Sequence, residues 1–376
     1  MAHPLAGADL GTLSAVLGRA GTPHKHLKTA LILAAATFRA PISFVEEVVM
    51  DEKLPKLEEM DPPVFILGHW RSGTTHLYNI MVKSGAWGYV PPIATGLPWD
   101  LFGIARVFRP WLERALPEHR YIDKIPVTPD SPQEDEIAIA NMSPLSFYHG
   151  IYFPKAFAQF LGRGLFFDGC TPREIDAWRA RFVYFMRKLY LHQARKPLLI
   201  KNPVYTGRLA LLREIFPEAK FVHIHRNPYQ VFLSMRNFYG KLLDEFALQR
   251  WDHLDIDEAI LSTYVRMMTA LEKDAADMPA DRYIEIRYDE LDREPLETVR
   301  EIYRALYLPG FDLAAPRFSH YIASVKSFEK NNFAFPEDAA RKVEARLGRF
   351  IRKWGYQRPG ATLPSAPSVG LEQAAE

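Results

Sequence analysis

Cysteine is nearly missing from this chain. Cys170 is the single one, so no intramolecular disulfide can form and the fold must be held by its apolar core. Flanked by Gly169 and Thr171, with nothing adjacent to lower its pKa, Cys170 reads as a packed thiol and not a nucleophile. Charge of one sign is missing too. The 47 lysines and arginines stand against 45 acids for a net +2, too weak a field to draw nucleic acid, so basic groups must act locally. No membrane-spanning apolar run is apparent: the best candidate, Thr29 to Phe38, is short and bounded by Lys28 and by Arg39-Ala40-Pro41. His3, Pro4 and Asp9 interrupt the start, so no secretory leader is expected and the expected location is cytoplasmic. The basic cluster His24, Lys25, His26 and Lys28 keeps peripheral membrane contact open for the first helices. No His, Cys and Asp cluster has credible ligand spacing, so no metal is expected.

What is present is a chain of 376 residues, 48% hydrophobic, long enough to bury a large core. Residues 1–60 read as a helical extension ending in an acidic segment, 61–357 as the main domain, and 358–376, rich in Pro, Ala, Ser and Gly, as a mobile tail. The main domain is organised around Pro62 to Met81. Val64 to Leu67 is a continuous apolar run suited to a strand buried on both faces, Gly68 to Gly73 form a loop, and Leu77, Ile80 and Met81 fall at helical spacing. Strand, glycine loop and helix start in that order make a phosphate-binding turn. A nucleotide triphosphatase loop carries lysine after its second glycine, but Thr74 stands there and the cation has moved inside the loop to Arg71. With Ser72, Thr74 and Thr75 the loop can hold a terminal phosphate, yet it lacks the usual means of activating a γ-phosphoryl group. A P-loop nucleotide kinase or NTPase is therefore the disfavoured alternative. A non-catalytic nucleotide-binding, membrane-peripheral protein is the other.

Downstream, a helix is expected over Pro172 to Ala194, a buried strand at Leu198 to Ile200 delivering Lys201 to its carboxyl end, a helix over Thr206 to Phe216, and a strand from Ala219 to His225. Arg226-Asn227-Pro228 then turns into a helix from Tyr229 to Met235. The alternation implies an α/β fold, a P-loop-like parallel sheet flanked by helices, with its ligand site along one edge. Arg226 at a strand end and Ser234 in the next helix can converge on one phosphate. In Pro129 to Ala138, Ser131 can cap a helix with Pro132 at its first position, which places Glu134, Asp135 and Glu136 in the first turn; Glu134 and Asp135, being adjacent, point apart. The aromatic residues between Trp87 and Phe167 either close a core or line an apolar pocket.

Arg71-Ser72-Gly73-Thr74-Thr75 after a strand resembles the 5′-phosphosulfate loop of sulfotransferases that use 3′-phosphoadenosine 5′-phosphosulfate (PAPS). Arg226 and Ser234, with seven residues between them, match that family's 3′-phosphate site. Tyr288, in Arg282 to Leu291, matches the tyrosine that packs on the adenine, and Lys330, in Ser324 to Phe335, falls in a loose match to the flap that covers the nucleotide. Leu199 to Pro203 with Phe216 to Phe221 is similar to the tyrosylprotein and bacterial branch, which carries arginine in the loop. The resemblance implies transfer of a sulfuryl group from PAPS to a hydroxyl or amine with release of PAP, without a metal, with Arg71 and Lys201 as the catalytic cations. Relatives that place histidine two residues after the lysine have no counterpart here, since Pro203 occupies that position, so a glutamate base is expected: Glu136 slightly ahead of Glu134, with His149 as a weaker substitute. The aromatic stretch points to a small, apolar or lipid-like acceptor, with a protein tyrosine or a sugar still open.

Overall fold

In the computed structural model, which describes residues 3–114, 128–325 and 335–359, β1 (Val64–Leu67) runs between β2 (Leu199–Lys201) and β3 (Lys220–His225), with β4 (Tyr283–Arg287) beyond β3. All four strands are parallel. Each residue of β1 is buried. Phe65 and Leu67 join one apolar layer, whereas Val64 and Ile66 join the other with Leu77, Ile80 and Met81 of the following helix Thr74–Val82. Two-sided burial is why this strand reads as an unbroken apolar run, each side chain contributing about 2 kcal/mol on removal from water.

Register decides where the site forms. Ile66 pairs with Lys201, Leu67 with His223, and His225 with Arg287. The chain therefore leaves β1 at Gly68, β2 at Asn202, β3 at Arg226 and β4 at Tyr288 along one edge of the sheet. That edge, outside the carboxyl ends of parallel strands, is where ligands bind in open α/β sheets.

Three local expectations are corrected. The apolar stretch Thr29 to Phe38 does not stop at Arg39-Ala40-Pro41 but belongs to one helix, His26–Asp51, that passes through Pro41. Pro41 and Thr37, the residue whose carbonyl a helical N–H at 41 would have bonded, are both exposed, and Arg39 is buried against Asp100 and the Ala8 carbonyl instead of flanking the helix. Nor do Ser131 and Pro132 open a helix. The Gln133 N–H donates to the Val90 carbonyl at 2.9 Å, so the segment runs beside Val90 and the helix begins only at Glu136. The helix after Arg226 is longer than expected, Pro228–Phe246, because its apolar side stays buried through Leu243. The N-terminal helices share an apolar core with the sheet: Leu13, Val16, Ile32 and Ala36 pack in the same cluster as Phe65 and Phe221.

Candidate active site

Two glycines shape the loop after β1. Gly68 has φ 144° and a Cβ there would lie 2.4 Å from the Ile224 carbonyl oxygen; its N–H donates to Thr206 Oγ1 at 2.8 Å. Gly73 has φ 98° and stands so close to the Tyr288 ring that a Cβ would approach it to 2.2 Å. Between them Arg71, at φ 69°, also takes the left-handed conformation. No side chain caps the helix that starts at Thr74, so its first N–H groups and dipole face the loop.

The guanidinium of Arg71 donates from Nε to Ser234 Oγ at 2.8 Å. Arg226 reaches the Arg71 carbonyl from Nη1 at 3.4 Å, and its guanidinium lies over the Tyr288 ring, 4.2 Å from the centroid. The loop, the strand-end arginine, the helical serine and the tyrosine, which come from three strand ends, thus meet in one place. Lys201 closes the other side. Its ammonium, 2% exposed, donates to Glu134 Oε1 at 2.5 Å and to Thr75 Oγ1 at 3.2 Å. Glu134 keeps 15% of its side chain open to solvent. Ser72 and Thr74 are buried in the wall of the loop. Lys330 lies outside the described residues.

The structure separates the three consecutive acids. Glu134 turns to Lys201, whereas Asp135 and Glu136 turn inward. Asp135 accepts from the Tyr205 hydroxyl and from Asn202 Nδ2 at 2.9 Å; Glu136 accepts from Asn202 Nδ2 at 3.0 Å and from Ser146 Oγ at 2.6 Å. Both are wholly buried. Glu136, expected slightly ahead of Glu134 as the base, is thus placed in the interior and not at the loop. His149, the weaker substitute, is also buried, with Nε2 on the Ser143 carbonyl at 3.0 Å, and burial lowers its pKa to about 4. Asn202, Tyr205, Ser146 and Asp135 were not expected as a unit. The one local sign was Asn202 immediately after Lys201, because the residue following a site lysine at a strand end must turn toward the layer behind it.

Burial raises the pKa of Asp135 and of Glu136 to about 7, opposed by the hydrogen bonds they accept and, for Glu136, by Arg208. An acid whose pKa is raised on folding holds its proton longer in the folded chain, so its contribution to stability falls as pH climbs from the ordinary glutamate value of 4.5 toward about 7. Glu136→Gln, whose amide can still serve Asn202 and Ser146, should therefore gain melting temperature relative to wild type as pH rises from about 5 to about 8. Parallel melting curves over that range would refute the shift.

Against known proteins, the model of the sulfotransferase family matches residues 62–312. The omega-hydroxy-beta-dihydromenaquinone-9 sulfotransferases Stf3 of Mycobacterium bovis and Mycobacterium tuberculosis are each 30% identical over 317 residues, covering 83% of this chain and 80% of the relative. The fold is that of sulfotransferase STF9 from Mycobacterium avium, with a TM-score of 0.71 at 15% identity over 93% of this chain and 92% of that one. STF1 from Mycobacterium tuberculosis follows with a TM-score of 0.64 at 18% identity, over 90% of this chain and 91% of that one. The chain belongs to the sulfotransferase family and is an enzyme of sulfuryl transfer.

Proposed function

We propose that the chain takes a sulfuryl group from PAPS and gives it to a hydroxyl carried on an apolar, lipid-like molecule, with 61–357 as the sulfotransferase domain and 1–60 packed on it as a helical extension. When bound, PAPS supplies a sulfur whose bond to the leaving 5′-phosphate can be broken by an attacking oxygen. The residues present suit such a molecule. Gly68 to Thr75 offers backbone N–H groups and hydroxyls for a phosphate, Arg226 and Ser234 offer a second anion cradle beside it, and Tyr288 offers a ring face for a base. Lys201 would hold the charge that builds on the leaving phosphate oxygen.

Carrying most weight is the position of Glu134, the partly open carboxylate held at 2.5 Å by Lys201, whose ammonium also bonds Thr75 of the loop. A carboxylate there can take the proton of the acceptor hydroxyl as its oxygen attacks sulfur, while Lys201 turns its proton donation to the oxygen that departs. The acceptor has a place to lie. A cavity of about 410 Å³ has one apolar wall of Pro92, Ile93, Leu97 and Leu112 and a polar rim that includes Arg109, Glu113, Asp130 and His192; Pro129 and Asp130 bring it close in sequence to Glu134. Its apolar wall suits a ring or chain, and the Stf3 relatives are named for a menaquinone-derived acceptor.

Incubation of the enzyme with isotopically labelled PAPS and a lipid extract should add the mass of one sulfuryl group to an apolar molecule. Label found only in water-soluble products would overturn the acceptor class. Arg226→Ala tests the donor. Loss of a charge-assisted contact costs about 1.5–3 kcal/mol, so the KM for PAPS should rise about 10- to 100-fold while kcat moves less. An unchanged KM would remove Arg226 from the donor site.

A further inference from the structure

The helix His26–Asp51 presents the wrong face to water. Ile32, Ala36, Arg39, Glu46 and Met50, at alternating spacings of four and three or seven, are the residues it buries against the body. Its other face carries Leu27, Leu31, Phe38, Phe44, Val45 and Val48, all exposed, Phe38 to 75%. From Ala30 to Val45 no exposed position is charged. A surface helix of a water-soluble domain is polar on its outer side, and a continuous bare apolar strip of this length marks a surface that something covers.

The strip does not end with the helix. Gly103 sits against Ile42, and its N–H donates to Glu46 at 2.6 Å, which joins the helix to the short helices Ile104–Val107 and Arg109–Arg114. These add Val107, Phe108 and Trp111, exposed to 71%, 52% and 72%. Leu112 and Glu113 of the second short helix line the cavity proposed for the acceptor. Bare apolar surface thus reaches the wall of that cavity.

We infer that this face docks on an anionic lipid bilayer, the long helix lying in the plane of the interface. Exposed Lys25 and Lys28 at its start, with exposed Arg106 on the first short helix, supply the positive charge that suits anionic headgroups, Arg109 being paired with Glu113, and Trp111 suits the interfacial depth. By length and composition the helix could cross a membrane. Its buried face argues for the in-plane arrangement, because crossing would break the Arg39 to Asp100 pair and the 2.7 Å pair of Glu46 with Lys188. Docking brings the cavity wall to the layer where an apolar acceptor is dissolved, and so its purpose rests on the acceptor reading above.

The test is co-sedimentation of the full chain with vesicles of phosphatidylcholine alone and of phosphatidylcholine mixed with phosphatidylglycerol, alongside sedimentation velocity without lipid. The chain should bind the mixed vesicles, less so as salt is raised. Phe38→Glu combined with Val45→Glu should lower binding about tenfold or more, and Lys25→Gln with Lys28→Gln should reduce the preference for phosphatidylglycerol. The thermal shift caused by PAP should survive in both, showing a folded chain with its donor site intact. No binding to either vesicle overturns the inference, as does a lipid-free dimer that Phe38→Glu splits, which would assign the face to a second copy. Vesicle binding with label appearing only in water-soluble products would leave the docking standing and remove the lipid-like acceptor.

Discussion

Glu134→Gln is expected to lower kcat about 100- to 1,000-fold while leaving the thermal shift caused by PAP in place. Gln keeps the shape of Glu134 and can still accept from Lys201 Nζ, now 2.5 Å away, but it cannot take a proton. Turnover should fail because the acceptor oxygen must attack while still protonated, not because the donor is lost. A general base contributes a factor of this order when it is well placed, and Glu134 is the acid in the Glu134 to Glu136 run that combines a cationic partner at the loop with access from solvent. The control is Glu136→Gln. Its carboxylate faces Ser146 and Asn202 in the interior, so that variant should keep kcat within about threefold once folded. If Glu134→Gln turns over like wild type in a PAP-release assay and Glu136→Gln does not, the roles assigned to the two carboxylates are reversed and the interior network must open during catalysis.

Why the sequence reveals the stretch but not which way each of its acids turns is a matter of range. The loop could be read directly, because strand, glycines and helix start lie within Val64 to Val82 and obey local rules. Arg226 and Ser234 were legible for the same reason, one at a strand end and the other within the next helix. The orientation of Glu134 is set by partners far along the chain: Val90 draws Gln133 into an extended run, Lys201 holds Glu134, and Asn202 and Tyr205 hold Asp135. Capping chemistry at Ser131 and Pro132 pointed to a helix start that these contacts override. Ser131 instead accepts from the Thr128 N–H at 2.8 Å. Pro41 misled in the same manner, since a proline ends a helix only when its surroundings do not hold the helix on both sides, and here Arg39 and Glu46 pin it on either side to the body.

Lys201→Ala should be the other near-complete loss, with kcat down about 100- to 1,000-fold, the range measured when one preorganised donor is removed from a site where charge develops. Two effects contribute. In the proposed roles the leaving phosphate oxygen loses the cation that would receive its charge, and Glu134 loses its partner, the ammonium that also bonds Thr75. Because the two side chains contact each other directly, their losses should not add. The double variant Glu134→Gln, Lys201→Ala should be little slower than Lys201→Ala alone, the behaviour of residues that act as a unit. Lys201→Arg separates the effects: it keeps the charge and can still hold Glu134, but its planar fork replaces a compact ammonium in a site only 2% exposed, so activity should recover in part, to within about tenfold of wild type. Strictly additive losses in the double variant would mean that Lys201 and Glu134 serve separate steps. In that event the hydrogen bond between them would be a resting contact, and the proton of the acceptor would have to leave by a group other than Glu134.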